Sequence, residues 1–347
     1  MSRVLITGHE GYIGSVMAPA FLEAGHEVVG LDTGYFADCK LVPELAEVPT
    51  VRKDIRDLEP GDVEGFGAIV HLAALSNDPI GNLNDSWTEE INYEASLRLA
   101  ELAREAGVER LLFSSSCIMY GMSEAAVVDE TAPLDPKTEY ARSKVQAERA
   151  ISELASDAFS PVFLRNGTVY GLSSRMRFDT VFNDLLARAV TTGRVVVYGD
   201  GTPWRPVVHV KDLVRAFRAA LEAPREKIHD EAFNTGADHL NYQVGKLARI
   251  AVEAVPGCEL EVLGEAGADK RTYKADFSKW TRTFPDCPFE WTPERGASEL
   301  CEAFQSVGLT VEDFEDERFT RLRWLRRLLD SGAVDGALRW AEVGAGR

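Results

Sequence analysis

The amino end of the chain places a glycine-rich turn between an apolar strand and an apolar helix. Residues 4–7 are strand-forming, and the turn that follows carries Gly8, Gly11 and Gly14. Because these residues lack side chains, a pyrophosphate can approach the exposed N–H groups at the start of the helix. A second strand ends at Asp32, about 20 residues further on, where a carboxylate accepts hydrogen bonds from an adenosine ribose. This order of elements predicts a dinucleotide-binding unit.

The residue after this acid distinguishes between two dinucleotides. Thr33 offers no positive charge for a 2'-phosphate, so the sequence favours NAD over NADP. Two interpretations stay open for Asp54 and Ile55, which follow another short strand. They line the adenine, or they form an ordinary polar turn.

Strands and helices alternate through the first half of the chain, which predicts a doubly wound parallel sheet. The near-continuous apolar run at residues 68–74 is typical of a strand buried in such a sheet. Ser76 and Asn77 emerge beyond it at the carboxyl edge, where these sheets bind ligands. A helical pattern over residues 89–106 carries Asn92 near its start, and we expect this side chain to reach back towards the cofactor.

One helix start carries a pair of residues suited to proton transfer. Tyr140 and Lys144 are one helical turn apart, so their side chains stand on the same face. A phenol has a pKa of about 10, and acting as a base at neutral pH requires a depression of about three units, roughly 4 kcal/mol, which an adjacent cation favours. The strand end at residues 113–116 supplies Ser116, whose hydroxyl can hydrogen-bond the same substrate oxygen. The alternative is a tyrosine and a lysine on a solvated helix face, which the nearby serines and the dinucleotide signature disfavour.

The net charge limits the classes of partner. The 347 residues suffice for two domains, and a formal charge of −18 argues against nucleic acid or an anionic membrane surface as the main partner. Five cysteines without a C-x-x-C pair, and six histidines without metal-ligand spacing, predict a reduced cytoplasmic protein that has no metal site. No apolar run is long enough to span a bilayer.

Two basic features occur later in the chain. Arg205 lies between two predicted strands, on a turn where a guanidinium suits a diphosphate; an ordinary surface arginine is the alternative. Residues 318–329 have the pattern of a basic amphipathic helix. We expect this helix to pack on its own domain or on a sister subunit.

Together these features resemble the extended short-chain dehydrogenase/reductase family, and within it the nucleotide-sugar epimerase/dehydratase branch. The resemblance covers nearly all of the chain as far as about residue 300. It rests on the glycine turn, Asp32, Asp54-Ile55, residues 71–74, residues 114–116 with Tyr120-Gly121, Tyr140-x-x-x-Lys144, and residues 199–201 with Arg205-x-x-x-His209.

The resemblance implies an α/β fold in which a doubly wound parallel Rossmann-type sheet carries a smaller mixed α/β carboxyl-terminal lobe. On this basis, residues 1–168 and 207–236 form the NAD-binding domain. Residues 169–206 and 237–347 form the substrate lobe, with a helical tail at the carboxyl end.

The resemblance also implies roles for single residues. Tyr140 takes the proton from a sugar hydroxyl, usually at C4, while the hydride passes to tightly held NAD. Ser116 positions that hydroxyl, and Lys144 binds the nicotinamide ribose and lowers the tyrosine pKa. The expected cofactor-binding residues are Gly8, Gly11, Tyr12, Ile13, Gly14, Asp32, Asp54, Ile55, Leu72, Ala73, Ala74, Asn92, Ser114, Tyr140 and Lys144. The expected residues for the nucleotide-sugar substrate are Ser76, Asn77, Ser116, Asn166, Thr168, Arg205 and Arg271.

Departures from the family pattern indicate the reaction. Dehydratases of the family carry Asp-Glu directly after the active hydroxyl residue, where this chain has Cys117 and Ile118. Members that epimerise at C3 and C5 carry a catalytic cysteine at the position of Ile118; Cys117, one residue away, points to the opposite face and is interpreted as structural. We therefore expect a nucleotide-sugar 4-epimerase. The resemblance also implies a homodimer, formed through the helices near residues 89 and 140. The alternatives are a reductase or dehydrogenase, a dehydratase that uses Asp78 or Cys117, and a dinucleotide sensor without catalysis.

Overall fold

The computed structural model describes residues 2–44, 46–76, 84–121, 127–264 and 272–341. Its strands are β1 (Arg3–Thr7), β2 (Glu27–Asp32), β3 (Thr50–Arg52), β4 (Ala68–His71), β5 (Arg110–Ser116), β6 (Ser160–Asn166), β7 (Thr168–Tyr170), β8 (Arg194–Val197), β9 (Trp204–His209), β10 (Glu231–Thr235), β11 (Asn241–Gln243) and β12 (Glu259–Val262). Its helices are α1 (Gly14–Glu23), α2 (Asp85–Thr88), α3 (Ala95–Glu105), α4 (Glu139–Ser152), α5 (Val181–Thr192), α6 (Val210–Glu222), α7 (Val244–Ala254), α8 (Ser278–Thr283), α9 (Pro293–Ser306), α10 (Val311–Glu315) and α11 (Arg321–Asp330). A π-helical turn, Glu89–Glu94, joins α2 to α3, and short 3₁₀ helices lie at Ile55–Asp57, Pro60–Asp62, Cys117–Tyr120, Arg225–Lys227, Asp238–Leu240 and Glu317–Phe319.

Parallel strands form the central sheet in the order β10-β6-β5-β4-β1-β2-β3. The strand order reverses at β1, which has β2 on one side and β4 on the other. Sheets of this type bind their ligand in the crevice at such a reversal, beyond the carboxyl ends of the strands. The doubly wound α/β fold predicted from the sequence is confirmed.

Strand β1 illustrates how the sheet is buried on both faces. Val4, Leu5 and Ile6 have no exposed surface, although their side chains alternate in direction along the strand. Val4 and Ile6 join a core that contains Phe21 of α1, whereas Leu5 joins a core on the other face that contains Leu99 of α3. A continuous apolar run is therefore required, and each such side chain contributes about 1.5–3 kcal/mol by its burial.

The second part of the fold is a smaller mixed unit, as the sequence predicts. Strand β9 pairs in parallel with β7 and antiparallel with β11, and β8 pairs in parallel with β12. Helices α5, α7 and α9 pack against one another beside these strands. This unit stands next to the carboxyl edge of the central sheet, because β7 continues directly from β6.

The carboxyl-terminal tail lies elsewhere than expected. Leu325 and Leu328 of α11, with Leu338 beyond it, join the same buried core as Leu5 and Leu31 of the central sheet. The tail, which the sequence assigned to the substrate lobe, therefore packs on the dinucleotide-binding half. Its apolar side packs against the sheet and loop residues of this core. The remaining domain boundaries stay predictions.

No helix in the described ranges is both long enough and apolar enough to cross a membrane. In the same part of the chain, no three His, Cys, Asp or Glu side chains are grouped so as to hold a metal ion.

Candidate active site and cofactor site

A cavity of about 660 Å³ lies at the carboxyl edge of the central sheet and continues between the sheet and the smaller unit. Its walls include the ends of β1, β2, β4 and β5 on one side and β8 on the other. The predicted cofactor-binding residues that line it are Gly8, Gly11, Tyr12, Ile13, Gly14, Asp32, Asp54, Ile55, Leu72, Ala73, Ala74, Ser114, Tyr140 and Lys144. Parallel strands bring these residues together, although more than a hundred positions separate the first from the last.

The glycine turn is packed too tightly for side chains. Gly8 has a φ of +74°, and a Cβ added to it would lie 2.6 Å from the backbone nitrogen of Ala73. A Cβ on Gly14 would run into the carbonyl oxygen of Gly8. The turn therefore depends on glycine to close against the end of β4 and to begin α1, which leaves the helix start facing the cavity.

Replacing Gly8 with alanine should weaken NAD binding by more than about 100-fold, because the new methyl group forces the turn away from β4. Gly107 supplies the matched control, since its φ is +76° and a Cβ there meets nothing within 4 Å. In both variants alanine must adopt a left-handed backbone conformation, which costs about 1–2 kcal/mol, but only Gly8→Ala distorts the glycine turn. The NAD released on denaturing each purified variant is the measurement. Equal retention by Gly8→Ala and Gly107→Ala would contradict the role of this contact.

Asp32 is fixed at the end of β2 by its neighbours. Its two carboxylate oxygens accept hydrogen bonds from the backbone N–H groups of Glu10, at 3.0 Å, and Gly34, at 2.8 Å. A nearby cation, Arg52 at the end of β3, donates to the Glu10 carboxylate at 3.0 Å. The acid is thus placed for a ribose, and the arginine charge beside it is already balanced, which fits NAD better than NADP.

Asn92 does not reach the cavity. It has no exposed surface, and its amide exchanges two hydrogen bonds with the backbone of Leu75, at 2.8 and 3.0 Å. The π-helical turn that contains it points the side chain into the core. Asn92 therefore supports the segment after β4 from behind, and the sequence expectation that it approaches the cofactor directly is wrong.

The three proposed catalytic residues line the same cavity. The Lys144 side chain is 3% exposed, and its Nζ donates to the carbonyl oxygen of Ser114 at 2.8 Å and lies 5.9 Å from the centre of the Tyr140 ring. Burial lowers the pKa of Lys144 to about 8. The Ser116 hydroxyl accepts a hydrogen bond from the Ile118 N–H at 3.3 Å. A phenol, an ammonium and a hydroxyl therefore share one partly enclosed space.

A carboxylate that sequence reasoning missed extends the tyrosine–lysine row. Helix α4 is capped by Thr138, which accepts from the Ala141 N–H at 3.2 Å, and Tyr140, Lys144 and Glu148 then follow at intervals of four residues. Glu148 accepts a hydrogen bond from Arg165 of β6 at 2.8 Å, and both side chains are 8% exposed. This ion pair fastens the catalytic helix to the sheet. The four-residue spacing of Tyr140, Lys144 and Glu148 in the sequence could have predicted that this carboxylate lies on the same helix face.

The predicted substrate residues fall into two groups. Ser76, Ser116, Asn166, Thr168 and Arg205 line the cavity, whereas Asn77 and Arg271 lie outside the described residues.

Asn166 and Arg205 are held firmly in the cavity wall. The Asn166 amide donates to the Ser114 hydroxyl at 3.0 Å and accepts from Thr235 at 2.8 Å. Arg205 lies within β9 and not on the predicted turn between strands; it is 8% exposed and donates to the Trp204 carbonyl at 2.8 Å. A buried guanidinium on the lobe side of the cavity is suited to a diphosphate.

Cys117 lies outside the cavity. The residues on each side of it, Ser116 and Ile118, line the cavity, but the Cys117 thiol is fully buried and donates to the Arg165 carbonyl at 3.1 Å. Burial raises its pKa well above the ordinary thiol value. A thiol in this place is poorly suited to attack or proton transfer.

Two further arginines line the cavity and were not predicted. Arg177 pairs with Asp179 at 2.7 Å and donates to the Ser76 hydroxyl at 2.9 Å. Arg321 enters from the first turn of α11. The sequence showed arginines in both segments, but an amphipathic pattern does not reveal which of them face a cavity.

The fold and this cavity place the chain among enzymes that hold a dinucleotide at the carboxyl edge of a parallel sheet. The chain belongs to the NAD dependent epimerase/dehydratase family, whose sequence profile matches residues 4–236. NAD is the cofactor of this family, and the resemblance to extended short-chain dehydrogenases is confirmed. The glycine turn and Asp32, both on the cavity wall, fit this cofactor.

Similar proteins support the same assignment. A UDP-glucose 4-epimerase of Corynebacterium glutamicum is 29% identical over 311 residues, which cover 84% of this chain and 91% of the relative. The solved structure of TunA, an NAD-dependent NDP-hexosamine 5,6-dehydratase, is 26% identical with a TM-score of 0.78, and the match covers 88% of this chain and 98% of TunA. MoeE5, solved with UDP-glucose and NAD, is 27% identical with a TM-score of 0.75 and coverages of 88% and 99%. The likeness to both structures extends well beyond the region matched by the family profile.

Proposed function

We propose that the chain is an NAD-dependent nucleotide-sugar 4-epimerase. The observation that carries the proposal is that Ser116, Tyr140 and Lys144 line one cavity together with the glycine turn. The similarity to the UDP-glucose 4-epimerase of C. glutamicum supports the same reaction and makes a UDP-hexose the first substrate to test.

Each residue has a defined task in this reaction. The chemistry that NAD supplies, when bound, is reversible hydride transfer at C4 of the sugar. Tyr140, as a phenolate, removes the proton of the C4 hydroxyl, and Ser116 orients that hydroxyl by a hydrogen bond. Lys144, bonded to the Ser114 carbonyl, holds a positive charge near the phenol and lowers its pKa. When the other face of the ketosugar is reduced, C4 takes the opposite configuration. Tyr140 then returns the proton to the same oxygen.

The sugar nucleotide must extend from these residues into the smaller unit. We assign its binding to Ser76, Asn166, Thr168 and Arg205, with Arg205 on the diphosphate. Arg205 is anchored through the Trp204 carbonyl, so it can pair with phosphate without first ordering a flexible chain.

The positions after Ser116 argue against elimination of water by the acid and base that dehydratases of the family carry there, and Asp78, the other candidate for such a role, lies outside the described residues. Elimination needs an acid and a base at the sugar C5 and C6, and the positions after Ser116 carry a buried thiol and the apolar side chain of Ile118. Neither transfers a proton readily at neutral pH. An epimerase needs no group at these positions, because one tyrosine handles the proton in both directions.

The test is incubation of the purified enzyme with UDP-glucose, UDP-galactose and other nucleotide hexoses, followed by mass spectrometry and NMR. We expect a C4 epimer of unchanged mass, formed without added cofactor. A product that has lost water, or consumption of added NADH, would replace the proposal with a dehydratase or a reductase. If the enzyme holds NAD but converts none of these sugars, the proposal fails.

We also propose a homodimer, in the cytoplasm, through the helices that begin near residues 89 and 140. The two helices lie side by side in the structure, and α4 presents the exposed side chains of Arg142, Gln146 and Arg149. The five cysteines are free of disulfides, which suits a reducing compartment. Light scattering measures the assembly, and a particle with the monomer mass of 38.2 kDa would contradict the dimer.

A further inference from the structure

The carboxyl-terminal tail is fastened to the loop that forms one wall of the cofactor cavity. The Trp324 indole donates to the Tyr35 carbonyl at 2.5 Å, and the Trp340 indole donates to the Thr33 carbonyl at 2.7 Å. The Tyr35 hydroxyl donates in turn to the Leu338 carbonyl. Thr33 and Tyr35 both line the cavity directly after Asp32, so the tail braces its adenosine end.

This tail also places an arginine in the cavity wall. Arg321 is 2% exposed, and its guanidinium lies 4.2 Å from the centre of the Phe36 ring while one nitrogen donates to the Arg175 carbonyl at 3.0 Å. The other terminal nitrogen, Nη1, is buried without a hydrogen-bond partner among the described residues. Burial is the main cause that lowers the pKa of Arg321, to about 10.

The Arg321 guanidinium has no ion pair among the described residues, although the nearby Asp179 carboxylate accepts a hydrogen bond from the Arg321 backbone N–H at 3.2 Å and attracts its charge. Arg175 pairs with Glu44 at 2.6 Å, and Arg177 occupies both carboxylate oxygens of Asp179. No carboxylate of the described residues forms an ion pair with the Arg321 side chain. A buried guanidinium without an ion pair is costly, so an anion held in the cavity beside Arg321 would be stabilised by it.

We propose that Arg321 binds the diphosphate of the dinucleotide, and that the tail thereby helps to retain the cofactor. A diphosphate also occurs in the sugar nucleotide, but one contact favours the dinucleotide. Arg321 stacks on Phe36, which lines the cavity in the loop after Asp32. The diphosphate site assigned to the sugar nucleotide, at Arg205, lies on the lobe side of the cavity. The proposal uses family membership and does not require epimerase activity.

The test compares two variants of the full chain, each stripped of NAD. Arg321→Met removes the cavity charge, and Arg326→Met removes an equivalent exposed charge from the same helix. Calorimetry then measures the binding of NADH, adenosine and UDP. We expect Arg321→Met to weaken NADH binding by about 10- to 100-fold, the value of a charge-assisted hydrogen bond, and to leave adenosine and UDP binding unchanged. Arg326→Met should match the wild type for all three.

Other outcomes overturn the proposal. Unchanged NADH binding would exclude the contact, and weaker UDP binding alone would assign Arg321 to the sugar nucleotide. Equal loss of NADH and adenosine would indicate that Arg321 only supports the loop after Asp32. If Arg321→Met does not fold, Arg321→Lys serves instead, because it keeps the charge but loses the planar donor geometry. NADH binding to Arg321→Lys should then be weakened while adenosine binding stays at the wild-type value.

Discussion

Replacing Tyr140 with phenylalanine should lower kcat for nucleotide-sugar interconversion by about 10²- to 10⁴-fold, the usual contribution of a positioned proton-transfer group. The ring remains in place on α4, so the cavity keeps its shape and NAD stays bound. Only the phenol oxygen is lost, and the hydroxyl of the sugar then has no base. The measurement is kcat under saturating substrate, together with the amount of NAD released on denaturation.

Tyr93 provides the control for this experiment. Its ring is partly buried against the core that contains Leu99 and does not line the cavity, so Tyr93→Phe removes a phenol oxygen without touching the site. We expect wild-type kcat from Tyr93→Phe. If Tyr140→Phe keeps full activity, or loses activity only in proportion to lost NAD, then Tyr140 is not the proton acceptor.

The proposed role of Tyr140 as a base depends on Lys144. A buried ammonium next to the phenol stabilises the phenolate, and the same burial makes the ammonium less stable, so that its pKa falls to about 8. The charge of Glu148, one turn further on, opposes that fall. Lys144 therefore connects the phenol of Tyr140 electrostatically with the carboxylate of Glu148.

Much of this arrangement could be predicted from the sequence because parallel sheets obey strict geometry. Once residues 4–7, 68–71 and 110–116 are recognised as strands of one sheet, their carboxyl ends must meet at one edge. The glycine turn, Ser114 and Ser116 are then neighbours without any knowledge of side-chain packing. The helix spacing of Tyr140 and Lys144 adds the remaining pair in the same way.

The wrong predictions concern features that the local sequence pattern does not determine. Asn92 was expected at the cofactor because it lies near a helix start, but a π-helical turn rotates it into a hydrogen-bond pair with Leu75, a residue distant in sequence. The tail was assigned to the substrate lobe because an amphipathic pattern predicts that a helix packs against other residues but does not predict which ones. Arg321 illustrates the same limit, since its neighbours Arg323 and Arg326 on the same helix are exposed.

The buried ion pair behind the catalytic helix should have the largest effect on stability. Glu148→Leu leaves Arg165 charged, buried and without its carboxylate, which we expect to lower the free energy of unfolding by about 3–5 kcal/mol. Glu153→Leu, an exposed position at the end of the same helix, should change it by no more than about 0.5 kcal/mol. Urea unfolding of the NAD-free proteins measures both values.

The double variant Glu148→Leu/Arg165→Leu identifies the cause of that loss. If the cost arises from an uncompensated charge, removing the arginine as well should restore part of the stability, because apolar replacements of a buried pair are often tolerated. Recovery should be incomplete, since Arg165 also donates to the Tyr120 hydroxyl and the Glu130 carbonyl, both at 3.0 Å. A double variant at least as unstable as the sum of the two single variants would show that packing, and not charge, fixes α4 to the sheet. In that case the position of Tyr140 and Lys144 would depend on side-chain shape alone.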